Sequence, residues 1–184
     1  MSENAVFMRP DILTRGGTYF DFVTPRKSVI TIEDIAHGLS NVCRFAGHTK
    51  FFYSVAQHSF HVSFLVPEEH AFEGLMHDAH EAYVGDMPTP LKRLLPEYAE
   101  LEHRCEDAVL AAFGLERPLN RSVKRADLIM LATEQRDLLP PHDDEWALLK
   151  GIEPCKDVIQ PWPPEAARML FLQRFHELYN RRTA

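Results

Sequence analysis

An adjacent histidine and aspartate, His77 and Asp78, with Glu81 one helical turn later, restrict the fold of this chain more than any other feature. In an α-helix these three side chains would share one face. The rest of the segment consists mainly of Ala, Leu, Met, Tyr and Val, which indicates a half-buried helix. Burying several ionisable groups is costly unless they are paired or bind a metal, so other parts of the chain must supply their partners.

The spacing of apolar residues and of helix-ending prolines predicts an all-α fold. The first thirty residues lack helical periodicity, and their paired glycines and aromatic run predict a short β-hairpin or extended arm. The predicted helices cover approximately residues 31–45, 54–66, 67–84, 96–114, 122–139 and 164–180. We expect one domain (1–184) made of an N-terminal arm (1–30), a metal-binding helical core (31–139) and a C-terminal loop and helix (140–184).

Composition excludes several classes of protein. The formal net charge of −7 argues against a broad basic surface, so we expect no stable binding to nucleic acid, although a small anionic substrate stays open. No run approaches the roughly 20 apolar residues that a membrane-spanning helix needs, and no apolar signal core is present. We therefore expect a soluble, cytoplasmic protein without membrane attachment. The 3 cysteines are far apart in the sequence, which predicts reduced thiols.

Partners for the His-Asp pair are predicted on two other helices. His58 and Asp127 each lie on the apolar face of a predicted helix. Together with His77 and Asp78 they form a set of two imidazoles and two carboxylates, which suits one divalent cation such as Mn²⁺, Co²⁺, Fe²⁺, Zn²⁺ or Mg²⁺. Alternatively, His58 is a hydrogen-bonded core histidine and Asp127 forms an ion pair with a neighbouring basic side chain, Arg125 or Lys124.

Glu81 is the candidate catalytic residue. Its spacing from His77 and Asp78 places it beside the metal without requiring it to be a ligand, which is where a general acid or base is needed. A metal at this position lowers the pKa of water and polarises a phosphoryl oxygen, so the chemistry predicted is metal-assisted hydrolysis. The alternative role for Glu81 is to orient His77.

These residues resemble the signature of the HD-domain phosphohydrolases, a His, a His-Asp pair and a distant Asp around one divalent metal. The resemblance rests on the order and context of residues 54–59, 76–81 and 126–128 and extends over about residues 31–139. Within that family the chain is similar to the small bacterial 5'-deoxynucleotidases (the YfbR/YfdR-like group), to which phage dATP triphosphohydrolases are related. The resemblance also implies a homodimer or higher homo-oligomer.

The same resemblance implies contacts to a nucleotide. In the deoxynucleotidases an Arg-Trp pair upstream of the first metal histidine contacts the substrate, and here Arg44-Phe45 occupies that place. Phe45 departs from the family pattern, because it keeps an aromatic face but lacks the indole donor. Asp86 corresponds to a substrate-binding aspartate, and Lys92 and Arg93 follow in a segment similar to that of the family, where either would meet a phosphate.

Other histidines near these motifs are also candidates. His48 would contact a substrate phosphate or anchor its loop, and His80 would line the pocket or support a ligand. His61, one turn after His58, is an alternative ligand that the family does not use.

The expected function is therefore hydrolysis of (deoxy)nucleotides, with removal of the 5'-phosphate from deoxynucleoside monophosphates. The first alternative is a deoxynucleoside triphosphate triphosphohydrolase, because the same centre can attack either phosphorus. The second is a non-catalytic, regulatory nucleotide-binding module. Glu81 distinguishes an enzyme from a regulatory module, because a metal site with a purely structural role does not need an additional carboxylate beside the metal.

Overall fold

A two-stranded antiparallel hairpin begins the part of the chain that the computed structural model describes, residues 9–183. Strand β1 (Asp11–Leu13) pairs with β2 (Tyr19–Asp21). Asp34 fixes this hairpin to the helices, because its two carboxylate oxygens accept hydrogen bonds from the Gly16 amide at 2.7 Å and the Thr14 hydroxyl at 2.9 Å. The predicted N-terminal hairpin is confirmed, while the part of the arm before residue 9 lies outside the described residues.

Helices make up the rest of the regular structure, which confirms the predicted all-α class. Short 3₁₀ turns at Pro25–Lys27, Arg44–Gly47, Glu68–His70 and Ala147–Leu149 connect them. The helices are α1 (Ile32–Asn41), α2 (Val55–Leu65), α3 (Ala71–Met76), α4 (Glu81–Val84), α5 (Thr89–Lys92), α6 (Pro96–Ala112), α7 (Arg121–Leu138) and α8 (Pro164–Thr183).

The first helix ends earlier than the periodicity predicted, at Asn41. The backbone there leaves the helix to form an isolated antiparallel bridge between Cys43 and Ser54. After this bridge, Phe45 and Ala46 both adopt the left-handed conformation, with φ of 55° and 50°. Non-glycine residues rarely adopt that conformation, so the turn that carries Arg44 and Phe45 is strained.

The predicted helix over 67–84 is divided into two, which corrects the expectation of one continuous helical face. Between α3 and α4 the backbone bonds tighten to three-residue spacing, from Ala79 to Met76 and from Glu81 to Asp78. His77 Nδ1 lies 2.9 Å from the Gly74 carbonyl, the acceptor that a continuous helix would offer to the next turn. The His-Asp pair therefore sits in a tight turn between helices.

The C-terminal helix completes the core. It packs against α1, α2 and α3 and buries Ala167, Phe171, Phe175 and Leu178. Burial of this apolar face makes α8 part of the same core that holds the His-Asp turn in place. Within residues 9–183, none of the helices combines the length and apolar character that crossing a membrane would require.

Candidate metal centre

Four side chains from three parts of the fold converge on one point. Helix α2 supplies His58, the α3–α4 turn supplies His77 and Asp78, and α7 supplies Asp127. Asp78 Oδ2 lies 3.0 Å from His77 Nε2 and 3.6 Å from His58 Nε2, which is itself 3.4 Å from Asp127 Oδ1. The ligand atoms of His58, His77 and Asp127 all lie within 4.8 Å of one another, so these three residues could hold a metal ion, with Asp78 next to the two histidines.

Each imidazole is oriented through its Nδ1 atom. His58 Nδ1 lies 2.7 Å from Glu134 Oε1, and His77 Nδ1 lies 2.9 Å from the Gly74 carbonyl oxygen. Carbonyl and carboxylate oxygens only accept, so both Nδ1 atoms donate. Both Nε2 atoms are buried and find no hydrogen-bond partner among the described residues. An ordered Nδ1 bond with Nε2 left over is the arrangement of a metal-binding histidine.

The charges of the cluster compensate one another. Burial and Arg44 lower the pKa of His58, but Glu134 and Asp127 outweigh them and raise it to about 9. Although burial opposes it, the histidines lower the pKa of Asp78, and His58 with His77 does the same for Asp127. The carboxylates are therefore ionised, and a divalent cation could replace the proton on His58.

Asp127 also matches its alternative interpretation. Its second oxygen, Oδ2, accepts a hydrogen bond from Lys124 Nζ at 2.8 Å. Lys124 is 68% exposed, so this ion pair lies at the rim and leaves the inner oxygen directed at His58.

Glu134 is the important residue that the sequence interpretation missed. It is fully buried on α7 and accepts from His58 through Oε1 and from Arg44 Nη2, at 3.1 Å, through Oε2. Burial opposes ionisation, but Arg44 and His58 lower the pKa of Glu134, which keeps it charged. Its position, seven residues after Asp127 on the same helical face, was the available signal.

Arg44 lies at the centre of the carboxylates. Its Nη1 atom is 3.8 Å from Asp78 Oδ2 and 3.7 Å from Asp86 Oδ2. Although burial opposes it, Glu134, Asp86 and Asp78 raise the pKa of Arg44, so it stays charged. Burial raises the pKa of Asp86, against the effect of Arg44. The structure thus brings Arg44 and Asp86 together beside Asp78, one of the candidate metal ligands.

Glu81 is buried at the start of α4. Burial, together with Asp78 and Asp86, raises the pKa of Glu81 well above its ordinary value. Its Oε2 atom is buried and lacks a hydrogen-bond partner within residues 9–183. Glu81 therefore holds its proton to a higher pH than an ordinary glutamate does, which suits a proton donor.

His80 and Lys92 lie next to α6, beside Glu102. Lys92 Nζ is 2.6 Å from Glu102 Oε1, and His80 Nε2 is 3.8 Å from the same atom. His80, Glu81 and Glu102 form a second buried group whose ligand atoms could approach a cation. Lys92 already places a positive charge against this group.

The predicted substrate residues border two different cavities. A polar cavity of about 480 Å³ is lined by three candidate metal ligands, His77, Asp78 and Asp127, and also by His80 and Lys92. A more apolar cavity of about 940 Å³ is lined by the other predicted contacts, Arg44, Phe45, His48 and Asp86. Arg44, which lines the apolar cavity, lies 3.8 Å from Asp78, which lines the polar one.

Fold and site together define a helical protein with a buried His-Asp cluster able to hold a metal. Escherichia coli K12 protein YfdR, named as uncharacterized, is 48% identical over 169 residues, covering 91% of this chain and 94% of YfdR. An uncharacterized protein of Rhodobacter capsulatus is 34% identical over 185 residues, covering 88% of this chain and 92% of that protein. The chain belongs to the YfdR family. No protein-family model matches it.

Proposed function

We propose that the protein is a divalent-metal-dependent phosphohydrolase of the HD-domain kind that removes the 5'-phosphate from deoxynucleoside monophosphates. The observation that carries this proposal is the convergence of two imidazole Nε2 atoms and two ionised carboxylates next to Glu81, whose pKa is raised. Metal-assisted hydrolysis needs such a nitrogen and oxygen ligand set together with a proton donor.

His58, His77, Asp78 and Asp127 would hold the cation, whether Mn²⁺, Co²⁺, Fe²⁺, Zn²⁺ or Mg²⁺. When bound, the cation supplies positive charge to the phosphoryl oxygens and lowers the pKa of water. Glu134 keeps the His58 ring in its binding orientation.

The remaining residues act on the substrate. Glu81 donates its proton to the 5'-oxygen that leaves with the nucleoside, which avoids expelling an alkoxide. Arg44 offers a planar set of donors to the phosphate, while Asp86 accepts a hydrogen bond from the sugar. Both groups already lie within 4 Å of each other at the edge of the cluster.

A second candidate is the triphosphohydrolase, which releases triphosphate from a deoxynucleoside triphosphate. Basic side chains around the polar cavity favour it, because they could neutralise further phosphates. They are Lys92, Arg117, Arg121 and Lys124, of which Lys92, Arg117 and Lys124 form ion pairs with Glu102, Asp107 and Asp127 that a phosphate would have to replace.

Product identification distinguishes these functions. Metal-stripped protein is reloaded with Mn²⁺, Co²⁺ or Mg²⁺ and incubated with ribo- and deoxynucleoside mono- and triphosphates. The proposal predicts inorganic phosphate from deoxynucleoside monophosphates. Triphosphate as the product would instead support the second candidate, and no turnover with any metal would contradict both.

Glu81→Gln is the matched control for the nucleotide panel, because it keeps the size of the side chain but removes the acid. We expect kcat to fall at least about 100-fold with the metal retained, as is typical when a general acid is lost. If the wild type binds nucleotides without turnover, and Glu81→Gln and Glu81→Ala leave that binding unchanged, a regulatory nucleotide-binding module is the better interpretation.

A further inference from the structure

The apolar cavity beside Arg44 is enclosed by three segments that are distant in sequence. The strained turn after α1 contributes Arg44 and Phe45, the segment after α4 contributes Met87 and Pro88, and the segment after α7 contributes Trp146. A cavity of about 940 Å³ is in the size range of small-molecule sites, which are mostly apolar with a few polar groups.

Phe45 is held at this cavity at an energetic cost. It adopts a φ of 55°, and Ala46 follows at 50°, so two consecutive non-glycine residues are left-handed. Its ring lies 5.5 Å from the Arg44 guanidinium carbon. Strain of this kind concentrates at functional sites, which indicates that the position of this ring and of Arg44 serves binding.

Trp146 brings a second aromatic ring to the same cavity. Its indole stacks on His142, with ring centres 5.8 Å apart and planes inclined by 22°, and this contact limits its rotation. Leu148, two residues later, also borders the cavity and is 51% exposed. The loop after α7 thus presents apolar surface that the protein core does not cover.

We propose that this cavity receives the base of the nucleotide and that Trp146 is a specificity-determining contact that stacks on it. This inference rests on the proposed function. Arg44 lies between the cavity and Asp78, so a ligand whose phosphate reaches the metal cluster extends its other end into the apolar space. A flat aromatic base fits a space bordered by two aromatic rings, since every base has a π-face.

Kinetics with and without a base test this role. The wild type, Trp146→Ala and Trp146→Phe are compared on deoxynucleoside monophosphates and on 2-deoxyribose 5-phosphate. Trp146→Ala should raise KM for the nucleotides about tenfold, the usual scale of one lost stacking contact, with kcat and the kinetics of the sugar phosphate little changed. Trp146→Phe should retain most of the affinity.

Trp162→Phe serves as the matched control and as the background for a binding measurement. Trp162 packs against Phe60 and His61 and does not line this cavity, so its replacement should leave the kinetics unchanged. The sequence has 2 tryptophans, so Trp146 becomes the reporter in this variant. Deoxynucleotides should quench its fluorescence and 2-deoxyribose 5-phosphate should not, with free tryptophan titrated in parallel to correct for absorption by the base.

The outcomes separate the two proposals. Quenching by nucleotides without any turnover would contradict the hydrolase function and still support the base site. Turnover of nucleotides with equal losses on both substrates in Trp146→Ala, or with no loss, would overturn the base site and leave the hydrolase function standing. Absence of base-dependent quenching would also overturn the base site.

Discussion

At the scale of single residues, Glu134 connects the two halves of the site. One carboxylate oxygen orients His58 and the other holds Arg44, all three side chains being buried. The proposed metal ligand and the proposed phosphate contact therefore depend on one carboxylate. Neither helical periodicity nor motif spacing reveals this pair, because Arg44 and Glu134 are 90 residues apart in the sequence.

Replacing Glu134 should weaken metal binding. Glu134→Gln keeps the shape but loses the charge, and we expect about a 10- to 100-fold loss of metal affinity, the usual effect of removing such a partner. Isothermal titration of the stripped protein measures it. Glu134→Ala should in addition cost up to about 3–5 kcal/mol of unfolding free energy, since buried Arg44 loses the nearest of its three carboxylate partners among the described residues. Unchanged affinity in both variants would exclude the orienting role.

The raised pKa of His58 predicts how stability and metal binding depend on pH. In the metal-free protein the bound proton stabilises the fold fully below the ordinary pKa of 6.5, and this stabilisation is lost as pH rises through about 9. A cation competes with that proton, so the increase in Tm on adding metal should grow over the same interval. Thermal denaturation with and without the preferred cation measures it.

His58→Gln is the control for this pH dependence, because it lacks the titrating group. Its difference from the wild type isolates the contribution of His58 from those of other ionisable residues. An increase in Tm on metal addition that is equal at both ends of the interval in the wild type would contradict the assignment.

At the scale of elements, short-range signals account for the start of two helices but not of α7, which was predicted from residue 122 and is capped by Asn120. Thr31 and Ser54 cap α1 and α2 with their side-chain oxygens, as short-range chemistry requires. The early end of α1 and the break between α3 and α4 could not be predicted in this way. The end of α1 depends on the bridge between Cys43 and Ser54. The break between α3 and α4 depends on His77, whose Nδ1 atom donates a hydrogen bond to the Gly74 carbonyl oxygen.

The close approach of α1 to α4 supports the position of Glu81. A Cβ atom added at Gly38 would lie 2.8 Å from the Ala82 carbonyl oxygen, which is backbone and cannot move independently. Alanine usually stabilises a helix relative to glycine, but here we expect Gly38→Ala to cost about 1–3 kcal/mol through overpacking. Chemical denaturation measures the loss, and kcat should fall with it because Glu81 precedes Ala82.

Gly74→Ala provides a comparison for Gly38→Ala within another helix. There the nearest atom to an added Cβ is a Val66 methyl at 3.1 Å, a wider contact with a side chain. It should therefore cost less stability than Gly38→Ala. A neutral or stabilising Gly38→Ala would show that α1 can move away from α4 without consequence.

At the scale of the whole molecule, the site depends on long-range packing. The predicted cluster of His58, His77, Asp78 and Asp127 could be inferred because each residue lies on an inward face and their order matches a known signature. The sequence does not reveal that the predicted substrate residues line two different cavities, because this depends on how the segment after α7 packs next to the strained turn. Trp146 borders the apolar cavity only because of that packing.

Metal content tests the central claim most directly. Wild type and His77→Ala are loaded with the cation that supports turnover, freed of excess ion, and measured by elemental analysis. His77 Nε2 lies 3.0 Å from Asp78 Oδ2 and is one of the two proposed imidazole ligands, so its removal should abolish metal retention while the wild type keeps one ion per chain. A folded His77→Ala protein that retains the ion as the wild type does would contradict the proposed metal centre.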